Sequence, residues 1–383
     1  MSITLDGTTG ITTPTYAGNV TAEYSVPVTA FKNRIINGAM VIDQRNAGAS
    51  IATSTTGAFT FTLDRWAYYA TQASKFTIQQ NAGSVTPPAG FTNYLGMTVG
   101  GSAVTVGSSD LFVITQKIEG YTVADLGFGT ANASTITFSF WVYSSLTGTF
   151  GGGVINENGN RAYVFSYSIS SANTWTKITV TIPGDVTGTW PKTNSIGMYI
   201  DLSLGAGSTW QGTLNSWTAG SFWSPPGCVN VVGSANATFY VTGVQLEKGS
   251  NATSFDYRPY GTELQLCQRY CINYKASDYG VYARYAVGFA YSTTLANCVM
   301  YFPVAMRAQP TLATTGTASN YAMNYGADAF TACSAVPSIQ TNQSSPYSAT
   351  ILCTLASGFT AGNATLLTSN NNTTSYLLFS AEL

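Results

Sequence analysis

The sequence predicts an all-β protein: an antiparallel jelly-roll sandwich, a smaller C-terminal β module, and an extended N-terminal segment. Three observations predict it. Runs of β-branched and aromatic residues recur at short intervals along most of the chain. Clusters of Gly, Asn, Ser and Pro separate them, and between Asn33 and Leu204 no helical periodicity appears. The composition fits, because 45% hydrophobic residues suffice for packed cores while only 8% are charged.

At 383 residues there is room for two or three cores. Residues 1–32 are turn-rich, as in Thr4-Leu-Asp-Gly-Thr-Thr-Gly, and too poor in apolar residues to fold alone. Ile35-Ile36 and Met40-Val41-Ile42 then read as a strand pair. In Phe59 to Tyr69, Phe59, Phe61 and Leu63 alternate with threonines, the period of a half-buried strand. Asp64-Arg65-Trp66 beside it reads as a core tryptophan next to a charged turn. Further strands are expected at Lys75 to Gln80, Tyr94 to Val99, Asp110 to Ile118, Thr135 to Tyr143, Ala162 to Ile169, Thr174 to Ile182 and Ser195 to Leu204. Glu157-Asn-Gly-Asn160 is a hairpin signal, because Asn-Gly fits a type I′ turn. With its opening and closing strands this section has about eight to ten antiparallel strands, the count of a jelly roll, and we assign it residues 33–260.

Between Leu204 and Val229 the alternation fails. Trp210, Trp217 and Trp223 fall there among Gly, Ser and Pro, in a long connection. An indole offers a flat apolar face able to stack on a sugar ring, and long loops on rigid β scaffolds often carry binding sites. The same rings could instead cap the sandwich core. Trp190, in Gly188-Thr-Trp-Pro191, is a weaker candidate of the same kind.

Thr238 to Leu246 reads as the closing strand. Lys248-Gly-Ser250 breaks it, and Tyr257-Arg-Pro-Tyr260 is extended, since a residue before proline avoids the helical region. Glu263 to Tyr270 is the best helical candidate, with Thr262 as its cap. Glu247, Lys248, Asp256 and Arg258 are charges in a charge-poor chain and are expected to pair near this joint. The last module, 261–383, has Tyr282, Tyr285, Val287 and Phe289 alternating with small residues, a second strand at Ala296 to Val304, and strands at Ala349 to Leu355 and Ser375 to Leu383. From Thr311 onward its only charges are Asp328 and Glu382. Uncharged β edges aggregate unless paired or covered, and packing between copies is one way to cover them.

Four blocks, Asn33-Arg-Ile-Ile-Asn-Gly-Ala-Met40, Leu63-Asp-Arg-Trp66, the stretch from Asn236 to Tyr270 with its Phe255-Asp-Tyr-Arg-Pro-Tyr260, and Phe302-Pro-Val-Ala-Met-Arg-Ala308, resemble in order a family of bacteriophage tail-fibre and minor tail proteins. That family has a jelly-roll module like a carbohydrate-binding domain followed by a C-terminal β module. The resemblance implies location in the virion after assembly in the host cytoplasm. It also implies a homo-oligomer, commonly a trimer, docking of residues 1–32 on other tail or baseplate proteins, and attachment to a host surface polysaccharide. It maps no ligand pocket.

Several classes are disfavoured. With net charge −1 and scattered basic residues, there is no electrostatic footprint for nucleic acid. No apolar run approaches the ~18 residues of a membrane helix. Met1-Ser-Ile-Thr-Leu-Asp lacks the basic start and apolar run of a secretion signal, so none is expected. Without histidine neither a Ser-His-Asp nor a Cys-His arrangement can be built. Glu119, Glu157, Asp185 and Asp201 are the acids a glycosidase would draw on, but nothing in their spacing pairs them. Cys228, Cys267, Cys271, Cys298, Cys333 and Cys353 read as buried thiols rather than a zinc site. No cofactor is expected; calcium bound by loop oxygens would leave no clear signal, and no Asp-x-Asp run is present. The expectation is a non-enzymatic attachment protein. A ligand-free structural component and a polysaccharide depolymerase are the alternatives.

Overall fold

The structure is a computed structural model and describes residues 4–6, 10–12, 31–53, 57–326 and 330–383. The chain divides into two compact units, Met1–Lys32 and Asn33–Leu383. In the first, Thr4–Asp6 pairs antiparallel with Gly10–Thr12. Most of the expected attachment segment lies outside the described residues.

The second unit opens with an antiparallel sandwich. Its seven-stranded sheet runs Trp217–Thr218, Ala162–Ile169, Gly148–Ile155, Ile196–Ala206, Leu111–Glu119, Trp66–Ala70 and Thr60–Phe61. Its six-stranded sheet runs Thr176–Ile182, Ile136–Ser144, Thr238–Lys248, Leu95–Val99, Phe76–Gln80 and Ile51–Ala52. Period-two alternation builds the core: Phe138, Phe140 and Val142 meet Phe112, Ile114, Phe165 and Leu202 from the facing sheet. Leu111–Glu119 is buried along its whole length. Its other face, with Leu111 and Val113, supports a second apolar cluster outside the sandwich.

Two expectations for this region are corrected. Ile35-Ile36 and Met40-Val41-Ile42 form no strand pair. Asn37 and Met40 adopt left-handed backbone, and the segment is an irregular buried loop. Asn37 pins it, donating through Nδ2 to the Ile42 and Asp64 carbonyls at 2.8 and 3.0 Å and accepting from Ile42 N at 3.0 Å. The stretch from Phe59 to Tyr69 is two strands rather than one, because Arg65, at φ 71°, turns the chain between them.

The closing strand Thr238–Lys248 carries a bulge between Thr242 and Gln245, made by Gly243 at φ 59°. The helix after the clamp spans Tyr260–Gln268, starting earlier than expected, with Pro259 as N-cap. Thr262 lies inside its first turn and caps nothing by side chain. Proline suits this entry, since its ring presets φ and it has no N–H to leave unpaired.

A second sandwich follows. Cys271–Lys275, Tyr376–Ser380 and Thr311–Thr314 form a three-stranded sheet. The other sheet has seven strands, ordered Phe330–Ala332, Tyr321–Asn324, Ala364–Ser369, Arg284–Ala290, Leu295–Tyr301, Ser348–Thr354 and Ala335–Ile339. Its core is small-residue-rich, with Ala, Met and the buried thiols Cys298, Cys333 and Cys353 among its members. All six cysteines are free, and Cys228 alone is only half-buried. Burial pushes the Cys333 thiol up to about 12.

The two cores meet across polar groups. Arg65 donates to Glu382 and to the Lys117 carbonyl, with its guanidinium 3.6 Å from the Tyr270 ring centroid. Arg45 reaches Glu382 at 3.0 Å. Arg269 bonds Glu119 through two nitrogens at 2.6 and 2.9 Å, and the Tyr270 hydroxyl adds a third donor at 2.5 Å. Burial alone would raise the Glu119 carboxyl; these donors outweigh it and hold it below the usual range. Of the four charges expected to pair, Lys248 lies 3.7 Å from Asp125 and Arg258 lies 3.3 Å from Glu263. Glu247 and Asp256 instead accept from neutral donors such as Thr253 and Asn33 N. The two cations of this set thus form their ion pairs near the joint with Asp125 and Glu263.

Candidate functional site

The tryptophan connection lies over the outer face of the seven-stranded sheet of the first sandwich. Gly151 and Gly153, on one side of their strand, make room for it. A Cβ on Gly151 would run into Ser224 Oγ and stand 2.9 Å from Pro225 Cδ and 3.0 Å from Cys228 Sγ; one on Gly153 would stand 3.2 Å from the Phe222 carbonyl. Backbone bonds tie the connection to itself, with Trp223 N donating to the Trp210 carbonyl at 2.8 Å and Gly212 N to the Ser224 carbonyl at 3.0 Å.

The four tryptophans separate into two groups, and none is among the exposed large side chains. Trp223 is buried against Phe59 and Tyr199, with centroids 6.0 and 5.9 Å away. Trp210 joins that same outer cluster and donates to the Ser109 carbonyl at 2.8 Å. Trp217 and Trp190 meet edge to face at 5.5 Å, both against Phe128. Trp217 donates to the Pro183 carbonyl at 2.7 Å, and the buried Trp190 donates to Asp185 and to the Thr187 carbonyl at 3.2 Å. The four therefore do not converge on one platform.

Each acid of the first sandwich has its own surroundings. Glu119 is held at the joint, as above. Asp185 takes a bidentate fork from Arg161 at 2.6 and 2.9 Å; burial would raise it, but this fork and its other donors hold it low. Glu157 is half-buried beside the Asn-Gly hairpin. Asp201 is fully buried under the tryptophan connection, and burial, outweighing the Thr115 hydroxyl and Lys117 beside it, pushes it well above the usual range. Its sheet neighbour Lys117 is 4.3 Å from the Phe59 ring centroid and donates to the Leu383 oxygen at 2.8 Å; burial draws it down to about 8. Among the described residues no three acidic or thiol side chains gather as metal ligands. Nor is any helix long and apolar enough to cross a membrane.

Exposed aromatic surface concentrates instead on the second sandwich. A register shift between Arg284 and Ala286 puts Tyr285 inside while Val287 and Phe289 face out, 66% and 52% exposed. Simple alternation along the strand carries no sign of that reversal. Tyr301, paired across the sheet with Ser348, is 79% exposed. Between them runs an open groove of about 470 Å³, lined by Arg284, Val287, Val299, Tyr301, Leu366 and Tyr274 among others. Arg284 is the one charged side chain of that lining. Flat rings, aliphatic side chains and a single cation can stack on the C–H faces of a neutral or weakly acidic glycan.

No family model matches the chain, and no curated protein matches it in sequence. Solved structures do show similarity in fold. The enzymatically active domain of tailspike protein 4 from bacteriophage CBA120 is 13% identical, with 57% of this chain and 22% of that one covered and a TM-score of 0.30. This chain thus spans about a fifth of that domain's length. A putative sugar-binding protein from Bacteroides thetaiotaomicron is 12% identical, covering 57% of this chain and all (100%) of that one, at a TM-score of 0.31. The module TmCBM61, solved with β-1,4-galactotriose, is 11% identical over 51% of this chain and 92% of that one, at a TM-score of 0.27.

Proposed function

We propose that this chain is a non-catalytic phage tail-fibre subunit that attaches a virion to a host-surface glycan through the aromatic face of its last sheet. One observation carries the reading: Val287, Phe289 and Tyr301 stand exposed on a sheet face whose groove holds a single charge. Exposed rings on a rigid strand lose little entropy on binding, which suits stacking against sugars. Each contact would be weak, and several copies would strengthen attachment by effective concentration. A trimer covering the uncharged edges, docking of residues 1–32 on other tail proteins, division into modules 33–260 and 261–383, and assembly in the host cytoplasm belong to the same proposal.

The non-catalytic part is supported by the acids themselves. Glu119 and Asp185 are each engaged by an arginine, and Asp201 is sealed beneath the tryptophan connection. A purely structural role is the second reading, favoured by the packed tryptophans. The test is adsorption: purified protein should bind host cells and compete with phage, and Tyr301→Ala should weaken both tenfold or more while folding normally. Adsorption unchanged by Tyr301→Ala and by Phe289→Ala would sink the attachment surface. New reducing ends in host polysaccharide would show a depolymerase.

A further inference from the structure

We infer that the clamp around Tyr257 forms a second binding site, a pocket for one neutral pyranose ring. The sequence explains its walls. In the extended Phe255-Asp-Tyr257-Arg-Pro segment, alternate residues share a side, so Phe255 and Tyr257 stand together. Phe91 arrives from a distant loop and completes a trio, with centroids 4.8 Å (Phe255–Tyr257), 5.1 Å (Phe91–Phe255) and 5.6 Å (Phe91–Tyr257) apart. The Tyr257 hydroxyl lies against Gly90, at φ 90°, where a Cβ would stand 2.5 Å away. Ala39 and Val41 form another side, and Thr92, Arg258 and Glu263 the polar part of the lining.

Size and chemistry select the occupant. The cavity is about 140 Å³. A protein cavity of about 150 Å³ accepts benzene, so this partly open pocket takes the ring of one pyranose with its outer hydroxyls toward solvent, and not a disaccharide. Benzene itself would leave the polar lining unsatisfied. Glu263 is almost buried, its Oε1 accepting from Asn37 N and from Arg258 Nη1, the latter at 3.3 Å. Among the described residues its Oε2 receives only the same Nη1, again at 3.3 Å. A carboxylate oxygen has two lone pairs, so acceptor capacity remains for hydroxyl donors. An anion would meet that carboxylate, and a cation the guanidinium beside it. The charges cancel, which leaves a neutral ring carrying hydroxyls, with C–H faces for the aromatic trio.

This site is distinct from the face of the last sheet, and the experiment separates them. Protein carrying Tyr301→Ala, which silences the other face, is titrated with methyl α-D-glucopyranoside, methyl β-D-galactopyranoside and methyl N-acetyl-β-D-glucosaminide, read by saturation-transfer NMR. Ligands of about a dozen heavy atoms predict a Kd on the order of 1 mM for the best of them. Adding Tyr257→Ala should weaken transfer at least tenfold, and Tyr257→Phe should retain most of it. Ala39→Leu, which fills the pocket without touching the clamp, should abolish it and decides the matter if Tyr257→Ala fails to fold. Absence of transfer from all three glycosides overturns the inference, as does transfer that survives Ala39→Leu. Host-cell adsorption by wild-type protein is scored separately, so either site can fail while the other stands.

Discussion

Arg65 and Glu382, separated by 317 positions in sequence, form an ion pair at the seam between the two sandwich cores. Both side chains are almost wholly buried, and Arg45 shares the same carboxylate. In a chain with 8% charged residues, so many charges at one seam show where its two apolar cores could not simply fuse. Each carries complementary polar groups that are satisfied only when the other is present, which fixes one relative placement.

Breaking that pair should therefore be costly. Arg65→Met leaves Glu382 with Arg45 alone and removes the guanidinium stacked on Tyr270, so we expect a loss of roughly 3–5 kcal/mol. Denaturant titration followed by near-ultraviolet circular dichroism measures it. The double variant Arg65→Met, Glu382→Leu should recover part of that loss, because no carboxylate is then stranded.

Gly151 offers a test of how tightly the tryptophan connection is packed. An alanine there must displace Ser224 or Pro225, both part of that connection. The expected cost of Gly151→Ala is about 1–3 kcal/mol, the usual range for overpacking. Gly101→Ala, with nothing within 4 Å, serves as the control and should stay within about 0.5 kcal/mol. Equal thermal midpoints for the two variants would show the connection to be loosely held.

How far the fold can be read from residues depends on whether local pattern or distant packing decides. Phe138, Phe140 and Val142 alternate, and their strand is where alternation puts it. The strand Gly148–Ile155 has no such signal, because Gly151 and Gly153 make room for residues 222–228, far along the chain. Val287 and Phe289 alternate as convincingly as the core phenylalanines yet face outward, since one bulge flips every later side chain. The aromatic composition of the last module was legible as binding chemistry; which rings it displays was not. The Tyr257 pocket was less legible still, because Phe91, Ala39 and Glu263 reach it from three separate segments.

Buried acids give the pH prediction. Asp201 has a folded pKa above its unfolded value of about 3.9. Between those two values the folded state binds the extra proton, so stability falls as pH rises through that window. Asp201→Asn cannot ionise and should be at least as stable as wild type at pH 7, where most core polar substitutions cost about 1 kcal/mol. Its advantage should shrink as pH falls toward 4, measured as the difference in urea midpoint. Asp64, pushed up to about 6 by burial against the pull of Arg45 and its two 2.6 Å bonds from Gln44, contributes in the same direction in both proteins and cancels in that difference.

The tryptophans and Tyr301 make opposite predictions, and the contrast decides between attachment and a purely structural role. Trp217 packs against Trp190, Phe128 and Tyr163 and donates a 2.7 Å bond, so Trp217→Ala should cost about 3–5 kcal/mol. Any loss of adsorption in that variant should track its unfolded fraction and recover on cooling to where it folds. Tyr301 is 79% exposed, so Tyr301→Ala should change stability by less than about 0.5 kcal/mol. Its adsorption should nevertheless fall tenfold or more, since multivalent binding multiplies a small loss at each site. Thermal melts and phage-competition assays on both variants provide the two readouts. Normal adsorption by Tyr301→Ala, together with lost assembly in Trp217→Ala, would favour the structural role.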